Sequence, residues 1–291
     1  AAVHAEKAYH VKRFLSLNQL IDAVDAIDIV TPTLSHYDCA RKAIKKSKHI
    51  FIEKPVANSV REAKEIMNLV HEAGIKAQVG HVERFNPAFL AVKDISMQPM
   101  FIEAHRLANF NPRGTDVPVV LDLMIHDIDI ILSLIKSNIK KVSASGVAVI
   151  SDQPDIANAR IEFANGCVAN LTASRISMKV MRKMRLFQKD AYISIDFAEK
   201  MTEILSLKDA TGTEDGLTID INTGNKFQKK AIKMETPVIQ PVNAIKMELE
   251  LFAQAIINDT ETAVTITDGF NALQVAHMIL HKIEKNSVYK S

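Results

Sequence analysis

Three side chains in this sequence are of the types that together can move a proton and steady a developing alkoxide. Asp122 and His126 stand four residues apart, a spacing that puts both on one face of a helix, one turn from each other. A carboxylate beside an imidazole holds the ring's orientation and raises its basicity, as general acid–base catalysis needs. Their neighbours Leu121, Leu123, Met124, Ile125 and Ile128 are apolar, so a buried, satisfied histidine is the plain alternative. The third group is Lys54. It sits in Lys48-His49-Ile50-Phe51-Ile52-Glu53-Lys54-Pro55-Val56, an apolar run that stops at an acid, an ammonium and a proline. Proline has no N–H for a sheet ladder, so a strand must end there. Glu53 and Lys54 then fall at a strand's carboxyl end, where open α/β sheets place their ligands. A surface ion pair at a turn is the plain alternative here. Lysine, histidine and carboxylate together are the set that hydride transfer between alcohol and ketone uses.

The elements that must position these groups alternate strand and helix. Ser16 caps a short helix to Ala23. Ala26-Ile27-Asp28-Ile29-Val30 is a buried strand ending at Thr31-Pro32, and Thr33 caps a helix to about Ser47. After the strand ending at Lys54, Ser59 and Glu62 make a capping-box pattern. The helix that follows carries Val60, Ala63, Met67 and Val70 at helical spacing, with Gly74 past its end. Residues 75–79 form another strand, stopped by Gly80-His81. This alternation implies parallel strands with right-handed crossovers. Thr31-Pro32, Glu53-Lys54-Pro55 and Gly80-His81 then converge on one sheet edge as a ligand crevice.

Phe85-Asn86-Pro87 marks a domain boundary. Pro87 suits the first turn of a helix to about Ile95. A strand over 100–106 and a polar loop over 109–118 precede an apolar helix over 119–135, interrupted by Asp122, His126, Asp127 and Asp129. The pattern then becomes antiparallel β: runs at 142–150, 157–163, 167–174, 184–187, 192–197, 201–207 and 227–234, with a hairpin at Asn165-Gly166. Residues 209–225 read as a long loop. Two helices follow, the first from about Val242 burying Ile245, Leu249, Phe252 and Ile256, the second capped by Asp268 and reaching about Lys285. The expected domains are 1–85 and 86–291.

At 291 residues, 47% of them hydrophobic, the chain can bury the cores of two domains. A net charge of +2 with 5% aromatics gives no nucleic-acid signature. No apolar run reaches membrane-spanning length. Cys39 and Cys167, the two cysteines, are far apart in sequence; this argues for a reducing, cytoplasmic location and against a metal cluster or disulfide scaffold. His277 and His281 have metal-ligand spacing but no acid or thiol partner, so no metal is expected. The basic, Met-rich residues 178–184 read as a sheet-edge turn.

Taken together, A-I-D-I-V-T-P-x-x-x-H from Ala26, K-H-I-F-I-E-K-P from Lys48, V-G-H-V-E-R-F-N-P from Val79 and D-x-x-x-H from Asp122 resemble the Gfo/Idh/MocA family of NAD(P)-dependent oxidoreductases. The likeness covers nearly the whole chain. The stretch at 79–87 with L-D-L-x-I-H-D-I-D at 121–129 is most similar to UDP-N-acetylglucosamine 3-dehydrogenase-like members. The resemblance implies an α/β fold: a Rossmann-like parallel sheet, then an α+β domain with a large open, mainly antiparallel sheet. It implies oxidation of a secondary hydroxyl of a sugar or sugar nucleotide, with NAD or NADP as acceptor; a polyol such as an inositol, or another nucleotide sugar, is the alternative substrate. Lys54 would hydrogen-bond the reacting hydroxyl, His126 would take its proton, and Asp122 would orient His126 or share the relay. Lys54 and His126 would face one cleft. Thr31, Pro32, His36, Glu53 and Pro55 would line the cofactor together with Lys54, and His81 would lie near the nicotinamide. Arg84 would reach an anionic substrate group or form a structural ion pair. The family's habit also makes Lys54–Pro55 a cis-peptide candidate.

One departure stands out. The dinucleotide fingerprint G-x-G-x-x-G is absent, and no two of the nine glycines are spaced G-x-G. Residues before Ala1 are expected to supply the first strand, the phosphate-binding turn and the residue that selects NAD or NADP. The alternatives are a true short form that binds dinucleotide poorly or not at all, and a non-catalytic, cofactor-sensing or structural homologue lacking the phosphate loop. Because no second helical layer is evident between 142 and 234, one sheet face is expected to be covered by a partner subunit in a homodimer or homotetramer.

Overall fold

A computed structural model of the chain describes residues 2–111, 117–209, 217–223 and 226–286. The chain forms two compact units, residues 1–81 with 248–273, and residues 82–247 with 274–291. In the first, α1 (Ala2–Tyr9) and α2 (Leu17–Asp22) precede β1 (Ala26–Ile29), α3 (His36–Ile44), β2 (His49–Glu53), α4 (Val60–Ala73) and β3 (Ala77–Gly80). The strands pair in the order β1-β2-β3, all parallel. Asp28, Phe51 and Gln78 lie in one row across the sheet, and Ile29, Ile52 and Val79 in the next. Successive rows face opposite sides.

Local chemistry sets the helix ends. The Ser16 side chain accepts the Gln19 N–H at the start of α2, and Ser59 and Glu62 form the capping box of α4. Gly74 closes α4 at φ +62°, where a Cβ is unfavourable. Thr33 does not cap α3; residues Thr33–Ser35 form a 3₁₀ turn, and α3 starts at His36.

The second unit begins with a 3₁₀ turn (Val82–Phe85), α5 (Pro87–Leu90) and β4 (Phe101–Leu107). A π-helical turn (Val120–Met124) runs into α6 (Ile125–Leu134). There follow β5 (Ile139–Val147), β6 (Ile156–Phe163), β7 (Val168–Ser174), β8 (Met181–Phe187), β9 (Ala191–Asp196), β10 (Met201–Asp209), β11 (Leu217–Thr223) and β12 (Lys226–Glu235). These make a nine-stranded sheet ordered β11-β12-β10-β9-β8-β4-β7-β6-β5. It is antiparallel except where β4 runs parallel to β7. On one face, Ile102, Ala104, Leu171, Met184 and Leu186 are buried. The other face carries cross-strand polar pairs: Asn158 donates to Thr172, Arg160 to Asn170 and Arg185 to Glu103. An aromatic group of Phe101, Phe187 and Tyr192 joins them, with centroids 5.9 and 5.1 Å apart.

Two helices close the chain, α7 (Ala244–Ile257) and α8 (Ile266–Asn286). Further features differ from the sequence expectation. Leu217–Thr223, inside the expected loop, is a strand pairing residue for residue with Lys226–Ile232, because ladder hydrogen bonds override a Thr-, Asp- and Asn-rich composition; the rest of that loop after Asp209 lies outside the described residues. On α7 the buried set is Glu248, Phe252 and Ala255, while Ile245 is 62% exposed. Residues 248–273 pack in the first unit, where Phe252 meets Phe51 edge-on at 5.8 Å. Asp268 is not the cap of α8 but its partner: it accepts the Thr265 N–H, and its own N–H donates to Thr265 Oγ1. Among the described residues no helix is long and apolar enough to cross a membrane.

Candidate functional site

In the first unit the three strand ends carry Thr31-Pro32, Glu53-Lys54-Pro55 and Gly80-His81 at one edge of the parallel sheet. The Lys54–Pro55 peptide is cis. His36, 1% exposed, ties two of these ends together: its Nδ1 lies 2.9 Å from the Pro55 carbonyl oxygen and its Nε2 2.7 Å from that of Thr31. Its ring nitrogens therefore meet main chain. Thr31 and Pro32 are exposed, Lys54 is half-buried and His81 is 1% exposed.

Glu53 turns back on its own chain, its Oε2 accepting the Lys54 N–H at 3.3 Å. It rests on Gly80, where a Cβ would come within 2.9 Å of Glu53 Oε2 and 3.2 Å of Phe51. A Cβ at the end of β3 would press on that carboxylate and on the Phe51 ring. Burial raises the Asp28 carboxyl, and Glu53 raises it further. Glu248 of α7 is pushed up to about 8, first by burial and then by the Glu53 and Asp28 carboxylates. Its Oε2 has no hydrogen-bond partner among the described residues, while its main-chain carbonyl accepts from Gln78 Nε2 at 2.7 Å.

In the second unit Asp122 lies in the π-helical turn and His126 in the first turn of α6, both half-buried. Their four-residue spacing thus crosses from π to α hydrogen bonding, and such turns recur at functional sites. The acids between and beyond them have cationic partners. Arg106 of β4 donates Nε and Nη2 to the two oxygens of Asp127 at 3.0 and 2.9 Å, and Nη1 to Glu83 at 2.8 Å. All three are buried. Burial opposes the Arg106 charge, but the two carboxylates outweigh it and raise its pKa, so the guanidinium stays ionised. Arg84 donates Nε and Nη2 to Asp129 at 2.7 and 2.8 Å. That is the structural ion pair weighed for Arg84 beside the substrate role. These pairs clamp the first two turns of α6 to β4 and to the 82–85 turn. The acids flanking His126 in an apolar helix were the one sequence signal for this network, since buried acids need partners.

Among the described residues no group of three or more His, Cys, Asp or Glu is set to hold a metal ion. A dinucleotide fits in part. The strand edge offers such a group the exposed Thr31 and Pro32 and the half-buried Lys54. No G-x-G-x-x-G turn occurs in the 291 residues to cradle a pyrophosphate.

Comparison with known proteins agrees with this architecture. Residues 1–81 match the family model "Oxidoreductase family, NAD-binding Rossmann fold", and residues 100–191 match "GFO/IDH/MocA C-terminal domain". UDP-N-acetylglucosamine 3-dehydrogenase of Acidithiobacillus ferrooxidans is 38% identical over 208 residues, which are 69% of this chain and 66% of that protein. The scyllo-inositol 2-dehydrogenase (NAD(+)) of Bacillus subtilis is 33% identical over 172 residues, 53% of this chain and 49% of that one. A solved structure of the Acidithiobacillus enzyme superposes with a TM-score of 0.87 at 31% identity, covering 98% of this chain and 86% of that one. Levoglucosan dehydrogenase in complex with NADH and levoglucosan, at 19% identity and a TM-score of 0.83 over 98% of this chain and 86% of that one, shares the fold.

Proposed function

Since the chain belongs to the Gfo/Idh/MocA family of oxidoreductases, we propose that it transfers a hydride between a secondary hydroxyl of a sugar or sugar nucleotide and NAD(P). The leading substrate is UDP-N-acetylglucosamine, oxidised at C3. The observation that carries this reading is Lys54 at the carboxyl end of β2, together with the acid–imidazole pair Asp122 and His126 on a helix clamped by Arg106. The substrate assignment is supported by the 38% identity to the Acidithiobacillus enzyme.

In this reaction NAD(P), when bound, supplies the hydride acceptor. The Lys54 ammonium hydrogen-bonds the reacting hydroxyl and stabilises the alkoxide that develops as its C–H bond breaks. His126 accepts the hydroxyl proton, and Asp122 holds the ring in orientation. Thr31, Pro32, Glu53, Pro55 and His81 line the cofactor. His36 acts one step back, holding the Thr31 and Pro55 carbonyls in place. Arg84, tied to Asp129, positions α6. The protein acts as a homodimer or homotetramer through the open sheet face, where the Phe101, Phe187 and Tyr192 rings supply an apolar centre. A monomeric mass by light scattering at micromolar concentration rejects that assembly.

A polyol reading is favoured by the 33% identity to scyllo-inositol 2-dehydrogenase. Cofactor-linked absorbance with UDP-N-acetylglucosamine, other nucleotide sugars and inositols separates them, using the full natural chain. Fastest reduction with UDP-N-acetylglucosamine is expected. Fastest turnover of an inositol moves the assignment to the polyol, and failure to bind NADH favours the non-catalytic reading.

A further inference from the structure

The second unit holds an open groove of about 880 Å³ between the 82–87 turn, the β9–β10 turn and the segment entering α7. Ile239, Pro241, Val242 and Ile245 give it an apolar wall. Two cations, Arg182 and Lys200, line it as well. Arg182 approaches Glu83 Oε1 at 3.7 Å, but that same oxygen already takes a 2.8 Å hydrogen bond from the buried Arg106. Glu83 also accepts from Asn86 at 2.9 Å. Arg106 is shared between Asp127 and Glu83, so Arg182 completes a cluster of two cations and two carboxylates while its exposed guanidinium faces the groove, and Lys200 adds the net positive charge there. Lys200 has no ion pair or hydrogen bond among the described residues. It holds φ at +53° in the turn between β9 and β10, a left-handed conformation that favours glycine over lysine. The groove volume is near the upper end of the range of roughly 300–1,000 Å³ usual for small-molecule pockets, more than a single sugar ring fills.

We propose that this groove binds the nucleoside diphosphate portion of the substrate, with Arg182 and Lys200 meeting the phosphate oxygens and the apolar wall taking the nucleoside. The inference rests on the sugar-nucleotide reading above and adds to it the residues that separate nucleotide-linked sugars from free ones. A guanidinium matches phosphate oxygens in bidentate fashion, and an ammonium adds a point charge. Inositols carry neither a phosphate nor a base, so they have nothing to place here. The groove is braced together with the acid–base helix. Glu83 on its wall is joined through Arg106 to Asp127, the residue next to His126.

The chain contains no tryptophan, so Ile239→Trp places a single fluorescent reporter in the groove. Titration of this variant with UDP should give a saturable change, and N-acetylglucosamine alone should give none. On the same background, Arg182→Gln and Lys200→Gln should each weaken UDP binding by about tenfold or more, the loss of one charge-assisted hydrogen bond. Lys200 is exposed and unpaired among the described residues, so Lys200→Gln should leave the melting temperature unmoved, whereas Arg182→Gln also removes the pair with Glu83. Calorimetric titration of UDP into the chain without the reporter, and into the two charge variants, repeats the comparison should the bulkier indole itself disturb the groove. No UDP binding, or equal affinity in wild type and both charge variants, overturns the proposal. UDP lacks the N-acetylglucosamine ring whose C3 hydroxyl the proposed reaction oxidises, so the result is independent of turnover. A chain that binds UDP through Arg182 and Lys200 yet reduces no cofactor would refute the dehydrogenase reading and leave the groove assigned.

Discussion

Glu248 puts the physical reading of the first unit to a quantitative test. It is 1% exposed on α7, and the carboxylates nearest in effect are Glu53 and Asp28. Its carboxyl is pushed from 4.5 up to about 8, so the folded chain keeps a proton that the unfolded chain has lost. Between these two values the folded state binds the extra proton, and stability must fall as pH rises, by about 1.4 kcal/mol per pH unit. Below the unfolded value the group contributes no pH dependence, and above about 8 the full destabilisation of roughly 4–5 kcal/mol is present. Glu248→Gln keeps the shape and removes the titration. Calorimetric melting of wild type and variant from about pH 5 to about pH 9 should therefore show a gap that opens in favour of the variant. At about 2–4 °C per kcal/mol the gap reaches on the order of 10 °C. The absolute offset between the proteins is immaterial, since an amide also has hydrogen bonds to satisfy. A gap that stays flat across this range, or opens in the opposite direction, refutes the placement of a buried acid beside Glu53 and Asp28.

Three further outcomes follow from the packing. Arg106→Leu strands the buried carboxylates of Asp127 and Glu83 and should cost about 3–5 kcal/mol in denaturant unfolding; adding Asp127→Asn and Glu83→Gln should recover most of it. Asp155 accepts N–H bonds from Val149, Ile150 and Ser151, which outweigh its burial and hold its carboxyl down at about 2. Its stabilisation of about 2 kcal/mol is present above the unfolded value and lost as pH falls, so Asp155→Asn should be less stable by that amount at neutral pH, with the difference closing in acid. Gly269→Ala puts a Cβ 2.6 Å from Val79 Cγ2; the helical substitution should destabilise by about 1–3 kcal/mol where propensity alone favours alanine, and Val79→Ala should restore the loss.

What could be read from the chain alone was whatever local chemistry decides. Proline after Glu53-Lys54 ends a strand whatever its neighbours, and Ser59 with Glu62 starts a helix without tertiary help. Alternating strand and helix then place Thr31, Lys54 and Gly80 on one edge by topology alone. What escaped depends on residues far apart in sequence. Arg106, Asp127 and Glu83 lie on three separate elements, and no periodicity links them. The α7 segment AIKMELELFAQAII has apolar residues around most of its circumference, so its pattern could not say that Glu248 rather than Ile245 turns inward. The strand at Leu217–Thr223 is held by its register with β12, a property of the pair and not of its own composition. His36 was assigned to the cofactor by its motif. Its partners, two main-chain carbonyls at 2.9 and 2.7 Å, become visible only once the cis turn is built.

The central claim is that the Lys54 ammonium and the His126 imidazole act on one substrate hydroxyl. The most direct measurement is kcat/KM for UDP-N-acetylglucosamine oxidation by the full natural chain, wild type against Lys54→Met and His126→Asn, with NADH affinity measured alongside. Each variant is expected to lose roughly a hundred- to ten-thousand-fold in kcat/KM while still binding NADH. Wild-type turnover in either variant would contradict the account.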